Sequence, residues 1–215
     1  MTLSTELERI FDADRMLRSA ERKLLEQPSS KPLIALLEAA TQEALQMADR
    51  SEATMRLERL ADLCAQVPGP KMTDAMIAIL NDPEPRVRVA AGEALTDVAY
   101  ERYAEVARGI ERALDAGLSG PAMAELPWIL AEVAEPSALL LIRRFLQHSD
   151  PDVIAAAIES LVQLGDPAGI EDLSRFVDDG RPVIIDDFEE ETRTSLGELA
   201  RDALALLGGG PGEDS

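Results

Sequence analysis

Asn81–Tyr100, NDPEPRVRVAAGEALTDVAY, reads as a tight turn followed by a single helix. Asn81, Asp82 and Pro83 are turn and N-cap residues, and a proline in a first helical turn costs no hydrogen bond. Val87, Ala90, Ala91, Ala94, Leu95 and Val98 then recur at spacings of three and four, which places one narrow apolar stripe on one face. The alanines let a neighbouring helix approach closely. One helix cannot bury such a stripe alone, so other stretches of the chain must cover it.

The chain supplies them by repetition. Ser149–Gly165, SDPDVIAAAIESLVQLG, repeats the plan with Val153, Ala156, Ala157, Leu161 and Leu164. Glu190–Gly208, EETRTSLGELARDALALLG, offers Leu196, Leu199, Ala200, Ala203, Leu204 and Leu207. Ala122–Ala134, AMAELPWILAEVA, carries Leu126, Ile129, Leu130 and Val133. The equivalent leucines, Leu95, Leu130, Leu161 and Leu204, are spaced 35, 31 and 43 residues apart. Periods of this size belong to stacked helical pairs.

The order Asp-Pro, Val-Arg, Ala-Ala, Ala-Leu resembles the HEAT repeat family in its short bacterial form, over about Lys31 to Gly208. The resemblance implies an all-α, right-handed α-solenoid of about five HEAT-like helical pairs, with the second helix of each pair lining a concave surface. It also implies that an interhelical Asp bonds an Arg beside the buried Val, and Asp82 and Arg88 match that pattern. Ile154 stands at the arginine position of the later repeat, which interrupts a continuous ladder.

Before the repeats, residues 1–30 hold one long helix. Leu3, Leu7, Ile10, Leu17 and Leu24 share a seam that Asp14 and Glu21 interrupt, which disfavours a long coiled coil. The expected role is a cap over the first pair, with a dimerisation helix as the alternative. Residues 31–208 form the solenoid, and 209–215 read as a disordered tail. Within the last repeat, residues 178–190, DDGRPVIIDDFEE, read as a loop insertion. Val183, Ile184, Ile185 and Phe188 either fold back over the final pair or form a partner-binding edge. Every long segment has helical periodicity, so no strand beyond an isolated bridge is expected.

The 215 residues contain 41 Asp and Glu against 21 Lys and Arg, a net charge of −20. A surface that acidic repels phosphate backbones and anionic membranes, so neither nucleic acid nor a membrane is expected as partner. A basic protein segment is the complementary partner, and simple solubility or a high-salt cytoplasm is the other explanation of the charge. No run of eighteen apolar residues occurs, and a cytoplasmic, monomeric protein is expected. Cys64 is the only cysteine and reads as a small core residue.

No catalytic constellation, metal site or cofactor site is found. His148 is the only histidine and stands at a helix end, where it serves as a capping residue. Asp186, Asp187, Glu189, Glu190 and Glu191 lack the alternating ligands and turn glycine of a calcium loop. The remaining candidate is the exposed face of the second helices. Two residues before each marker leucine stand Glu93, Trp128, Glu159 and Asp202. Two residues after stand Asp97, Glu132, Gln163 and Leu206. Glu93, Asp97, Trp128, Glu132, Glu159 and Asp202 are therefore the candidate partner-binding residues of an acidic face with one large aromatic. The competing reading of Trp128 is a core residue displaced by Pro127. The expected function is a non-catalytic scaffold or adaptor. The alternative is an enzyme-associated subunit similar to the HEAT-like bilin lyases, although no Cys or His stands where it could hold a tetrapyrrole.

Overall fold

The computed structural model describes residues 3–26, 30–187 and 190–208. Among the described residues ten helices and one pair of strands follow one another: α1 (Leu3–Leu24), α2 (Lys31–Leu45), α3 (Arg50–Ala65), α4 (Pro70–Leu80), α5 (Pro85–Asp115), α6 (Pro121–Val133), α7 (Ala138–Phe145), α8 (Pro151–Leu164), α9 (Ile170–Leu173), β1 (Pro182–Asp187), β2 (Glu190–Ser195) and α10 (Leu196–Gly208). Helix α5 is two helices joined at Arg102, whose φ of −140° and ψ of 49° break the helical run. The helices fall where periodicity placed them, except that the last begins at Leu196 and not at Glu190, and α3, the first arm of α5, α6, α8 and α10 stack in sequence as one layer. The fold is the expected all-α solenoid with one β element added.

Proline and glycine set the boundaries. α2, α4, α5, α6 and α8 each have proline at a first-turn position. Asp49 and Asp150 accept first-turn N–H groups of α3 and α8. Gly165 ends α8 in the left-handed region at φ 66°, which a side chain would disfavour. One continuous core runs from Leu33 to Ala203 and includes every marker leucine but Leu204, which packs half-buried against it. Cys64 lies fully buried within it, as expected.

The kink in α5 fastens the preceding turn. Arg102 donates to the Ala65 carbonyl at the C-terminus of α3 at 2.7 Å. Glu105 accepts from the Gly69 N–H at 2.8 Å and the Thr73 hydroxyl at 3.2 Å, at the N-terminus of α4. Gly69 has no side chain with which to cap α4, so Glu105 supplies the missing acceptor. A cation at a helix C-terminus and an anion at an N-terminus both oppose the local dipole charge.

Asp82 is buried, and its carboxylate does not bond Arg88. It accepts from Arg50 of the preceding pair at 2.6 Å and from the Glu84 N–H at 2.9 Å. Arg88 donates instead to backbone carbonyls of the turn, Pro83 at 2.9 Å and Asp82 at 3.4 Å. The Asp therefore ties two repeats together through an arginine 32 positions upstream.

Residues 182–187 of the insertion pair as a strand with 190–195, which corrects the expectation of no strand. β1 and β2 are antiparallel, with Val183 opposite Thr194 and Ile184 opposite Arg193. Side chains alternate across the strand, so Val183 is 2% exposed against the core while Ile184 is 56% exposed. The Asp179 carbonyl accepts from Gly197 N–H and the Arg181 carbonyl from Leu196 N–H, fixing the base of the strand pair to the start of α10. α10 begins at Leu196 because Ser195 and Glu198 close a capping box. Ser195 Oγ accepts from the Glu198 N–H at 3.2 Å, and the Glu198 carboxylate accepts from the Ser195 N–H at 3.0 Å. Bonds from Thr194 and Ser195 hold the Glu198 carboxyl below the usual carboxylate range. Phe188, Glu189, the side chains of Ile185, Asp186, Asp187, Glu190 and Glu191, and the tail 209–215 lie outside the described residues.

The N-terminal helix buries none of its own residues. Leu3 is 92% and Ile10 63% exposed, so the seam expected to cover the first pair stands open. Near its end Glu21 accepts from Arg59 of α3 at 3.0 Å, and Leu25 packs partly against the core.

Candidate functional site

Two helix faces meet along the layer of second helices. On α5, Pro85, Arg88, Val89, Gly92 and Thr96 recur at helical spacing, and on α6 so do Glu125, Trp128, Ile129 and Glu132. Together with Gln163 of α8 they line a groove of about 410 Å³. Trp128 is 37% exposed in its wall, so it is not the displaced core residue that Pro127 suggested; Pro127 itself is buried inside α6.

Glu132 stands at the centre of a side-chain chain that crosses three helices. Its Oε1 accepts from the Tyr100 hydroxyl at 3.1 Å, and its Oε2 accepts from Gln163 Nε2 at 3.3 Å. The carboxylate is thus held in place by groups on α5 and α8. Its bond to Tyr100 raises that phenol above its ordinary pKa. At the opposite end, Arg88 approaches Glu125 at 3.8 Å, so the groove walls carry two carboxylates and one guanidinium. The face is more mixed in charge than the uniformly acidic column expected.

Of the six candidate residues, Trp128 and Glu132 line this groove. Glu93 and Asp97 are exposed on α5 but outside the lining, Glu159 is half-buried on α8, and Asp202 is exposed on α10. The geometric reason is simple. A groove between two parallel rods is bounded by opposite flanks of the two, so a single offset from the marker leucine selects the groove side on only one of them. Tyr100, Glu125 and Arg88 were missed for that reason. Their signal was the second stripe at 85, 88, 89, 92 and 96 facing another at 125, 128, 129 and 132.

A furrow of about 420 Å³ recurs one repeat away between α3 and α5, with half-exposed Met55 at its surface and Arg86 paired to Glu58 at 3.2 Å. His148 is expected to cap the last carbonyls of α7; its Nδ1 instead accepts from the Asp150 N–H at 3.1 Å, within the turn that leads to α8. Among the described residues no group of three or more His, Cys, Asp or Glu could hold a metal ion, and no helix is long and apolar enough to cross a membrane.

Residues 123–190 match the family described as HEAT repeats. Among solved structures, the chain is similar to an engineered protein from the Northeast Structural Genomics Consortium. Identity is 17%, coverage is 89% of this chain and 90% of that one, and the TM-score is 0.38. No curated protein matches the sequence.

Proposed function

We propose that this chain, in which residues 123–190 match HEAT repeats, is a non-catalytic scaffold or adaptor whose groove around Trp128 binds a basic segment of another protein. The observation that supports this most is the half-open Trp128 beside a carboxylate already fixed by Tyr100 and Gln163. A lysine or arginine can stack on the indole, a contact of about 0.5–2 kcal/mol, while Glu132 and Glu125 face its charge. An aromatic anchor covered by a partner contributes about 2 kcal/mol or more. The net charge of −20 raises the encounter rate with a cationic segment and makes binding weaken with salt. The neighbouring furrow extends the surface toward an elongated ligand. Glu93, Asp97, Glu159 and Asp202 then act through the long-range field and not by contact.

The test is Trp128→Ala, with melting temperature and retention of partners from the protein's own cell extract measured together. Retention should fall while the protein stays folded, because a partly exposed Trp loses less than the about 3–5 kcal/mol of a core Trp. Full retention, or collapse of the fold, contradicts the proposal.

A further inference from the structure

Helix α1 is 22 residues long, about 33 Å, and an amphipathic helix of that length that buries nothing is incomplete by itself. Its seam, Leu3, Leu7, Ile10, Leu17 and Leu24, is exposed along its length, flanked by exposed Phe11 and Met16. We propose that the seam is covered by the same helix of a second copy of this chain, paired antiparallel, so that the protein is a dimer through α1.

Charge selects the occupant. α1 has five acidic and five basic residues, so the whole chain's net charge of −20 lies outside it. It is therefore a stretch on which two copies of a strongly acidic protein can meet with little repulsion. Charge also selects the direction. The first half, 3–12, carries three acids to one base, and the second half, 13–24, carries four bases to two acids. Antiparallel pairing sets each acidic half against a basic half; parallel pairing sets like against like.

The interruptions of the seam agree. Asp14 and Glu21 occupy seam positions, and in a parallel pair each would face its own copy, two carboxylates in contact. In the antiparallel register that puts Leu7 opposite Leu17 of the second copy, Asp14 meets Ile10 and Glu21 meets Leu3. Asp14 can stay paired to Arg18 of its own helix, which donates to it at 2.8 Å, and Glu21, near the end of the pair, keeps the bond it accepts from Arg59 of α3 at 3.0 Å.

Sedimentation equilibrium of the full chain, from low to high micromolar concentration, should show a mass rising from 23.3 kDa toward twice that value. Leu7→Glu with Leu17→Glu should abolish the rise without lowering the melting temperature of the repeats, since both side chains are exposed. A monomer at every concentration, or association that survives both substitutions, overturns the proposal. Direction is read by oxidation of Leu7→Cys and Leu17→Cys proteins, alone and mixed; buried Cys64 stays out of reach. A disulfide-linked dimer should form chiefly in the mixture. Efficient linkage of Leu7→Cys protein to itself overturns the antiparallel pairing.

Discussion

Gly109 is where the second arm of α5 crosses α4 at closest approach, and Gly109→Ala tests that packing by the sign of its effect. In an unconstrained helix the change stabilises by about 1 kcal/mol, because alanine has the better helical propensity. Here a Cβ on Gly109 would lie 2.4 Å from Thr73 Cγ2 and 3.3 Å from Ile77 Cδ1. Thr73 is fully buried, and its hydroxyl is committed to Glu105, the carboxylate that also receives the Gly69 N–H. Rotating Thr73 away breaks that bond, and leaving it in place overpacks the contact, at about 1–3 kcal/mol. The crowding offsets the propensity gain and leaves a net loss of up to about 2 kcal/mol. For a chain of this size that lowers the melting temperature by up to about 8 °C. Gly92→Ala is the control: its added Cβ meets only Leu80 Cδ1 at 3.8 Å, ordinary contact, so propensity should prevail and the melting temperature should rise. Thermal denaturation of both variants by circular dichroism decides. A Gly109→Ala protein as stable as Gly92→Ala would refute the close packing of α4 on α5.

Two further outcomes follow from titrating and capping groups. Burial pushes the Cys64 thiol up to about 11. The unfolded thiol ionises near ~8.5, so the proton favours the folded state, and the stabilisation is whole below that pH and is lost as pH rises toward 11. The wild-type chain should therefore lose more stability between those limits than Cys64→Ala does, by at most about 1.4 kcal/mol per pH unit, read from urea midpoints. Ser195→Ala removes the hydroxyl of the capping box and should destabilise α10 by about 1 kcal/mol. The depressed Glu198 carboxyl makes the same cap acid-sensitive. Its contribution is present above the unfolded carboxylate pKa and lost as pH falls through the folded one, which hydrogen exchange of the first turn of α10 reports.

The helices of the repeats were legible because burial imposes a 3.6-residue period on the faces they pack, and Leu95, Leu130 and Leu161 are all in the core. The strand pair was not read. Val183, Ile184 and Ile185 are β-branched and Thr192 and Thr194 stand opposite, yet the Thr-Arg-Thr-Ser run was joined to the helix after it. The capping box Ser195-Leu-Gly-Glu198 would have moved the helix start to its place. The Arg50–Asp82 bond could not be read from the turn alone, because its donor comes from the preceding repeat. Trp128 and Glu132 were found because they stand out from their own helix. Tyr100 and Arg88 were not, because a groove belongs to two helices and one-helix offsets cannot describe it.

The proposal that the groove holds a basic segment is tested most directly by the chain's only tryptophan, Trp128, whose fluorescence reports on the site itself. A lysine-rich peptide is titrated into the protein at low and at raised salt, beside the double variant Glu125→Gln, Glu132→Gln. A saturable change in indole emission is expected, weakening as salt rises and about tenfold weaker in the variant, the equivalent of about 1.4 kcal/mol. An emission that does not respond, or a response indifferent to salt and to both glutamates, contradicts it.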